Sequence, residues 1–238
     1  MTLPLHPPRF PWDHFPDVLI HAEERTVKFH PDYRAAKSGD AIAAGRLVAD
    51  NLNQSIVELL GRYGSEPPIL VSAHAYEAEG VNAIPEALAD ELGNRLDWPV
   101  EPSIVQINVV GHTGADGFSR LARQAAFDGE VKPGATYVLV DDFVGQGGTL
   151  ANLRGHVLAG GGRVLAVTAL TGKPYSARLA LDYSQLVELR EKHGSIESWW
   201  EAKFGHRFDC LTQSEARYLA RTPDADTIRN RLAAAEQA

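Results

Sequence analysis

The sequence predicts an α/β fold, a mostly parallel twisted sheet with helices on both faces. Three observations carry this expectation. Short apolar runs at residues 69–73, 136–140 and 163–170 lack the polar alternation of a half-wetted strand, which is the mark of strands covered on both faces. Stretches with apolar residues at helical spacing separate them, and Gly- or Pro-containing junctions divide strand from helix. A strand, helix, strand order closed by right-handed crossovers gives a parallel sheet, and ligands of such sheets bind beyond the carboxyl ends of the strands.

Composition sets the frame. The 238 residues, 44% hydrophobic and 23% charged with 21 Gly and 14 Pro, suit one large domain or a domain with an appendage, and exclude collagenous, mucin-like and wholly disordered chains. With 23 Lys+Arg against 31 Asp+Glu the net charge is −8, and no basic block occurs, so neither nucleic acid nor an anionic membrane is an expected partner. Cys210 is the sole cysteine, which removes an intrachain disulfide and a Cys-based zinc site. No apolar run nears the roughly 18 to 20 residues of a membrane span. Residues 1–15 carry four prolines, no Lys and no apolar core, unlike a secretory signal, so the expected location is the cytoplasm.

Residues 1–34, rich in Pro, His and aromatic residues, read as an N-terminal arm and hood segment with a strand around 25–29. Ile42, Leu47, Val48, Leu52, Ile56, Leu59 and Leu60 give residues 35–60 one long amphipathic helix, stopped at Gly61 and Gly64. The strand at 69–73 follows Pro67 and Pro68, and a loop occupies 74–80. Pro85 then opens a helix carrying Ile84, Leu88, Leu92 and Leu96. A strand at 103–110 leads into a Gly-containing loop at 111–117 and a short helix over 118–127. Lys132, Pro133 and Gly134 turn the chain into the strand at 136–140, which ends on Asp141 and Asp142. A helix at 150–158, closed by Gly160, Gly161 and Gly162, returns the chain to the strand at 163–170. Residues 35–171 thus form the core. Residues 172–238 form a mainly helical cap, in which Trp199, Trp200, Phe204 and Phe208 make a satellite core, and Asp224 and Asp226 start the last helix.

The chemistry gathers at one strand end. Gly147, Gly148 and Thr149, between a strand and a helix start, aim backbone N–H groups and a hydroxyl at one point where the helix dipole also favours an anion. Asp141 and Asp142 leave the strand side by side, so their side chains diverge to opposite faces, and two such carboxylates are costly unless something polar or cationic uses them. A P-loop would need a Lys before Thr149, and a dinucleotide fingerprint a glycine where Leu150 stands, so both fail.

The whole string, four apolar residues followed by Asp141, Asp142, Phe143, Val144, Gly145, Gln146, Gly147, Gly148, Thr149 and Leu150, resembles the phosphoribosyl-pyrophosphate (PRPP) motif of type I phosphoribosyltransferases. The resemblance implies a Rossmann-like core with a small hood from terminal segments, a homodimer, and Mg2+ carried mainly by PRPP near Asp141 and Asp142. It places the ribose hydroxyls on Asp141 and Asp142 and the 5′-phosphate on Gly145, Gln146, Gly147, Gly148 and Thr149, with Phe143 and Val144 among the substrate-binding residues. Gln146 stands where family members commonly carry Thr or Ser. The loop with Ala73, His74 and Ala75 takes the place of the pyrophosphate loop, and Arg120 and Arg123 lie in the segment that matches the flexible catalytic loop, although an i, i+3 Arg pair also suits a solvated helix face. His112 reads as an exposed loop histidine. Together with residues 139–142, the run 120–127 is similar to the competence-associated phosphoribosyltransferase-like group, whose zinc-ribbon cysteines this chain lacks. The resemblance implies transfer of phosphoribose to a nucleobase or other small nucleophile with release of pyrophosphate, or, as the alternative, a non-catalytic PRPP- or nucleotide-binding regulator.

Overall fold

The computed structural model describes residues 6–63, 66–74, 76, 77, 80–108 and 116–237. In chain order its elements are β1 (Leu19–Glu23), α1 (Glu24–Lys28), α2 (Tyr33–Lys37), α3 (Ala41–Asn51), α4 (Gln54–Leu60), β2 (Ile69–Ser72), β3 (Tyr76–Glu77), β4 (Gly80–Val81), α5 (Ile84–Leu96), β5 (Val105–Gln106), α6 (Gly117–Ala122), β6 (Phe127–Asp128), β7 (Thr136–Val144), α7 (Gly148–Ala159) and β8 (Arg163–Gly172). The helices α8 (Tyr183–His193), α9 (Glu197–Phe204), α10 (Gln213–Ala220) and α11 (Ala225–Gln237) follow, with three short 3-10 turns between β8 and α10.

The expected α/β class holds. The main sheet has the order β1-β8-β7-β2 and every pair in it is parallel. Val100 extends it beyond β2: the Leu70 amide donates to Pro99 O at 2.8 Å, and the Glu101 amide donates to Leu70 O at 2.8 Å. The pleat of β7 sends Val138 and Val140 into one core with Leu47, Leu88 and Leu92 of α3 and α5, and Tyr137 and Leu139 into another with Leu150, Leu153 and Val157 of α7. Helices therefore cover both faces. A third core joins Phe118 and Leu121 of α6 to Leu189, Trp200, Phe204, Leu219 and Leu232 of the C-terminal helices.

Several elements differ from the sequence reading. The helix expected over 35–60 is three helices, because Asp40 accepts from the Ile42 and Ala43 amides and Asn53 from those of Ser55 and Ile56, so each opens a new helix inside the apolar period. The strand expected at 25–29 lies instead at Leu19–Glu23, where it pairs with β8, and residues 24–28 are helical. The strand expected at 103–110 is reduced, among the described residues, to Val105 and Gln106, paired antiparallel with β6. The helix expected over 118–127 ends at Ala122, and its last residue, Phe127, opens β6. β7 runs four residues past its apolar stretch, since its ladder with β8 continues through Asp141↔Ala169, Phe143↔Thr171 and Val144↔Gly172.

Candidate functional site

Because β7 continues to Val144, the two acids sit inside the ladder rather than in a loop. Both are buried, and both line a cavity of about 320 Å³ at the carboxyl ends of the strands. Asp142 shares the parity of Val138 and Val140, and its Oδ2 meets Lys37 Nζ of α2 at 2.9 Å. Asp141 shares the parity of Tyr137 and Leu139, and its Oδ1 accepts the Asp142 amide at 2.8 Å. Burial, and after it the charge of Asp142, push the Asp141 carboxyl well above the usual carboxylate range.

The loop after the acids reverses into α7 through Gly147, whose φ of 81° lies in the left-handed region. A Cβ there would stand 2.5 Å from Leu179 Cδ2 and 3.3 Å from Thr212 Cγ2. One on Gly148 would stand 2.7 Å from Glu215 Oε1. Glycine is thus required at Gly147, while a side chain at Gly148 would press on the Glu215 carboxylate. Arg9 fastens this junction from behind: its Nη1 donates to Glu215 Oε2 at 2.7 Å, its Nε to Asn152 Oδ1 at 2.5 Å, and its Nη2 to Gly148 O at 3.4 Å. Thr212 Oγ1 donates to Gln146 O at 2.5 Å, and Thr212 with Glu215 forms the capping box of α10.

Among the expected site residues, Ala73, Arg120, Arg123, Asp141, Asp142, Phe143, Gly145, Gln146, Gly147, Gly148 and Thr149 line this one cavity. His74 and Val144 are not among its lining. His74 is buried, with Nδ1 2.8 Å from Ser72 Oγ, and Val144 packs in the α7 core. Ala75, His112 and the loop residues 111–115 lie outside the described residues. Arg120 and Arg123 are placed by the C-terminal helices: α6 packs in their core, and Arg123 Nη2 donates to Ala235 O at 3.2 Å. Trp200 is fully buried against Phe204 and Phe208, so it serves packing.

Arg9, Lys28 and Lys37 also line the cavity, and the sequence reading missed them. The only local sign of Lys28 and Lys37 is a basic residue on either side of the polar stretch 30–34, in a segment read as an arm. Arg9 has none, since it meets Glu215 across 206 residues.

Among the described residues no group of three or more His, Cys, Asp or Glu side chains could hold a metal ion. Asp141 and Asp142, of which only Asp142 is ion-paired among the described residues, are the carboxylates that would hold a Mg2+ ion, a hard cation that prefers oxygen donors. No helix among the described residues is long and apolar enough to cross a membrane.

No family model matches the chain. It is 40% identical over 232 residues to Protein TraN of Escherichia coli, a match that takes in 95% of this chain and 51% of that protein. It is also 40% identical over 147 residues to an uncharacterized protein of Haemophilus influenzae, across 61% of this chain and 33% of that one. The chain therefore spans about half the length of the first relative and a third of the second. Among solved structures, the adenine phosphoribosyltransferase of Leishmania donovani matches at 13% identity and a TM-score of 0.37, over 63% of this chain and 56% of that one. That of Leishmania tarentolae matches at 14% and 0.36, over 79% and 77%. At these scores the likeness adds nothing to what the strands themselves show.

Proposed function

We propose that the chain is a phosphoribosyltransferase that binds PRPP with Mg2+ and transfers its phosphoribosyl group to a small nucleophile. One observation carries the reading: two buried carboxylates at a parallel strand end share a cavity with a glycine turn that heads a helix. The acids suit a ribose diol, and the amides of 147–149 with the Thr149 hydroxyl suit a phosphate. Lys28 of α1, with Arg120 and Arg123 at the end of α6, supplies positive charge for a diphosphate.

In the step itself the acceptor forms a bond to ribose C1 while the C1–O bond to pyrophosphate breaks and its electron pair leaves with pyrophosphate. The proton of the acceptor passes to solvent. Mg2+, when bound, neutralises charge on the leaving diphosphate. The chain's own residues orient the diol, hold the 5′-phosphate, and place carboxylates near a ribose that becomes positive in the transition state.

Gln146 favours a second reading, a PRPP- or nucleotide-binding regulator on the same fold. It supplies no hydroxyl to the phosphate loop, and its Oε1 is buried without a hydrogen-bond partner. Pyrophosphate release across a panel of nucleobases and other small nucleophiles decides between the two: turnover establishes the transferase, and PRPP binding without turnover on the whole panel supports the regulator.

A further inference from the structure

A second cavity, of about 720 Å³, opens beside the first and shares Lys28, Arg120, Phe143, Gly145 and Gln146 with it. Among its lining residues stand five cations, Lys28, Arg120, Lys173, Arg217 and Arg221, against one carboxylate, Glu24. In a chain of net charge −8 this is a strong local inversion. Glu24 is already engaged by Lys173 and by Lys28, the latter at 2.6 Å, and these two lysines hold its carboxyl below the usual range.

The three arginines have no such partner. Among the described residues Arg120, Arg217 and Arg221 form no ion pair. Arg120 Nε is buried without a hydrogen-bond partner, and Arg217 Nη2 reaches only the neutral Ser214 Oγ at 3.0 Å and Tyr175 O at 3.4 Å. Guanidinium groups gathered at one cavity repel one another, and their planar forks match carboxylate or phosphate oxygens in pairs. Tyr175, Tyr218 and Phe143 add aromatic side chains to the same wall, and the Arg217 guanidinium lies 5.1 Å over the Tyr175 ring.

We infer that this cavity binds a planar small molecule carrying a carboxylate or phosphate, and that this anion is the acceptor of the proposed transfer. The acceptor role rests on the transferase reading, whereas the anion site rests on Arg217 and Arg221, which line this cavity alone, Arg120 on the shared wall being assigned to the diphosphate. The shared wall at Phe143, Gly145 and Gln146 would bring such a molecule to the edge of the ribose held by Asp141 and Asp142.

The test uses matched neutral and anionic probes: uracil and its 6-carboxylate, nicotinamide and nicotinate, phenol and phenyl phosphate. Each is titrated calorimetrically into the full chain, into Arg221→Glu, and into Arg217→Gln. Arg221 is exposed, so its replacement leaves the fold intact. The expected result is at least about tenfold tighter binding of one anionic member than of its neutral partner, ~1.4 kcal/mol, with that preference lost in both variants. Whether the carboxylate or the phosphate pair shows it identifies the anion. Equal binding within every pair, no binding of any probe, or an anion preference that survives both replacements would overturn the site. Titration with PRPP and Mg2+ in the same series separates the two claims: its failure beside a retained anion preference contradicts the transferase reading and the acceptor role, and leaves the anion site standing.

Discussion

Lys37 Nζ lies 2.9 Å from Asp142 Oδ2 across 105 residues of sequence, while Asp141, next along the strand, has no ion pair among the described residues. The two acids are therefore unlike. Lys37 pairs with Asp142, whereas burial and the neighbouring Asp142 favour the protonated form of Asp141. Replacing Lys37 by Met leaves two adjacent carboxylates without their nearest cation. The expected outcome is PRPP binding weakened about tenfold or more, ~1.4 kcal/mol, with its pH profile moved to higher pH and partly restored by Lys37→Arg. Calorimetric titration of the three proteins across pH measures it, and a purely structural lysine would not move the profile.

The raised value of Asp141 gives a proton linkage. A carboxyl raised on folding adds stability below its unfolded range, and that stability is lost as pH rises through the raised value. Sugar hydroxyls or a cation at the site favour the ionised form. PRPP binding should therefore tighten as pH rises through the Asp141 value and release up to about one proton. Titrations of the native chain in buffers of different ionisation enthalpy count that proton, and a binding enthalpy independent of the buffer at every pH would rule the linkage out.

Acid lability has a separate source. Burial lowers both His21 and His206 from 6.5 to about 4, and both are almost fully inaccessible. Since the unfolded chain takes these protons first, the cost is absent above 6.5, grows as pH falls, and reaches about 3 kcal/mol per histidine near pH 4. Urea denaturation at pH 7 and pH 4.5 should show this loss, and His206→Gln should remove roughly half of it.

Arg9 and Glu215 form a buried ion pair behind the glycine turn, with both side chains 2% exposed. Glu215→Ala strands the guanidinium and should destabilise the chain by about 3 to 5 kcal/mol, whereas the Arg9→Met, Glu215→Leu double variant should recover much of that loss. Denaturant midpoints measure both. Because Arg9 also reaches Gly148 O and Asn152 of α7, the double variant should still bind PRPP more weakly than the native chain.

The site's centre was legible because it is local in sequence. A buried strand, two acids and a glycine turn lie within residues 136–149, and backbone geometry alone brings them to one strand end. The true length of β7 was hidden, since its apolar run stops at Val140 while its pairing with β8 does not. The break-up of residues 35–60 had visible signals in Asp40 and Asn53, but apolar spacing outweighed two single caps. Apart from Arg120 and Arg123, the cations were not legible. Lys28 and Lys37 reach the cavity, and Lys173 meets Lys28 through Glu24, because β1 pairs with β8 at the sheet edge, whereas Arg217 and Arg221 join them only once the C-terminal helices have packed. Pairings over a hundred residues or more leave no periodic trace.

The most direct test of the central claim is calorimetric titration of the chain with PRPP in the presence of Mg2+, beside Asp141→Asn and Asp142→Asn. Saturable one-site binding to the native chain is expected, with its loss in both variants and their folded stability retained. Absence of binding to the native chain, or binding unchanged by both replacements, would contradict it.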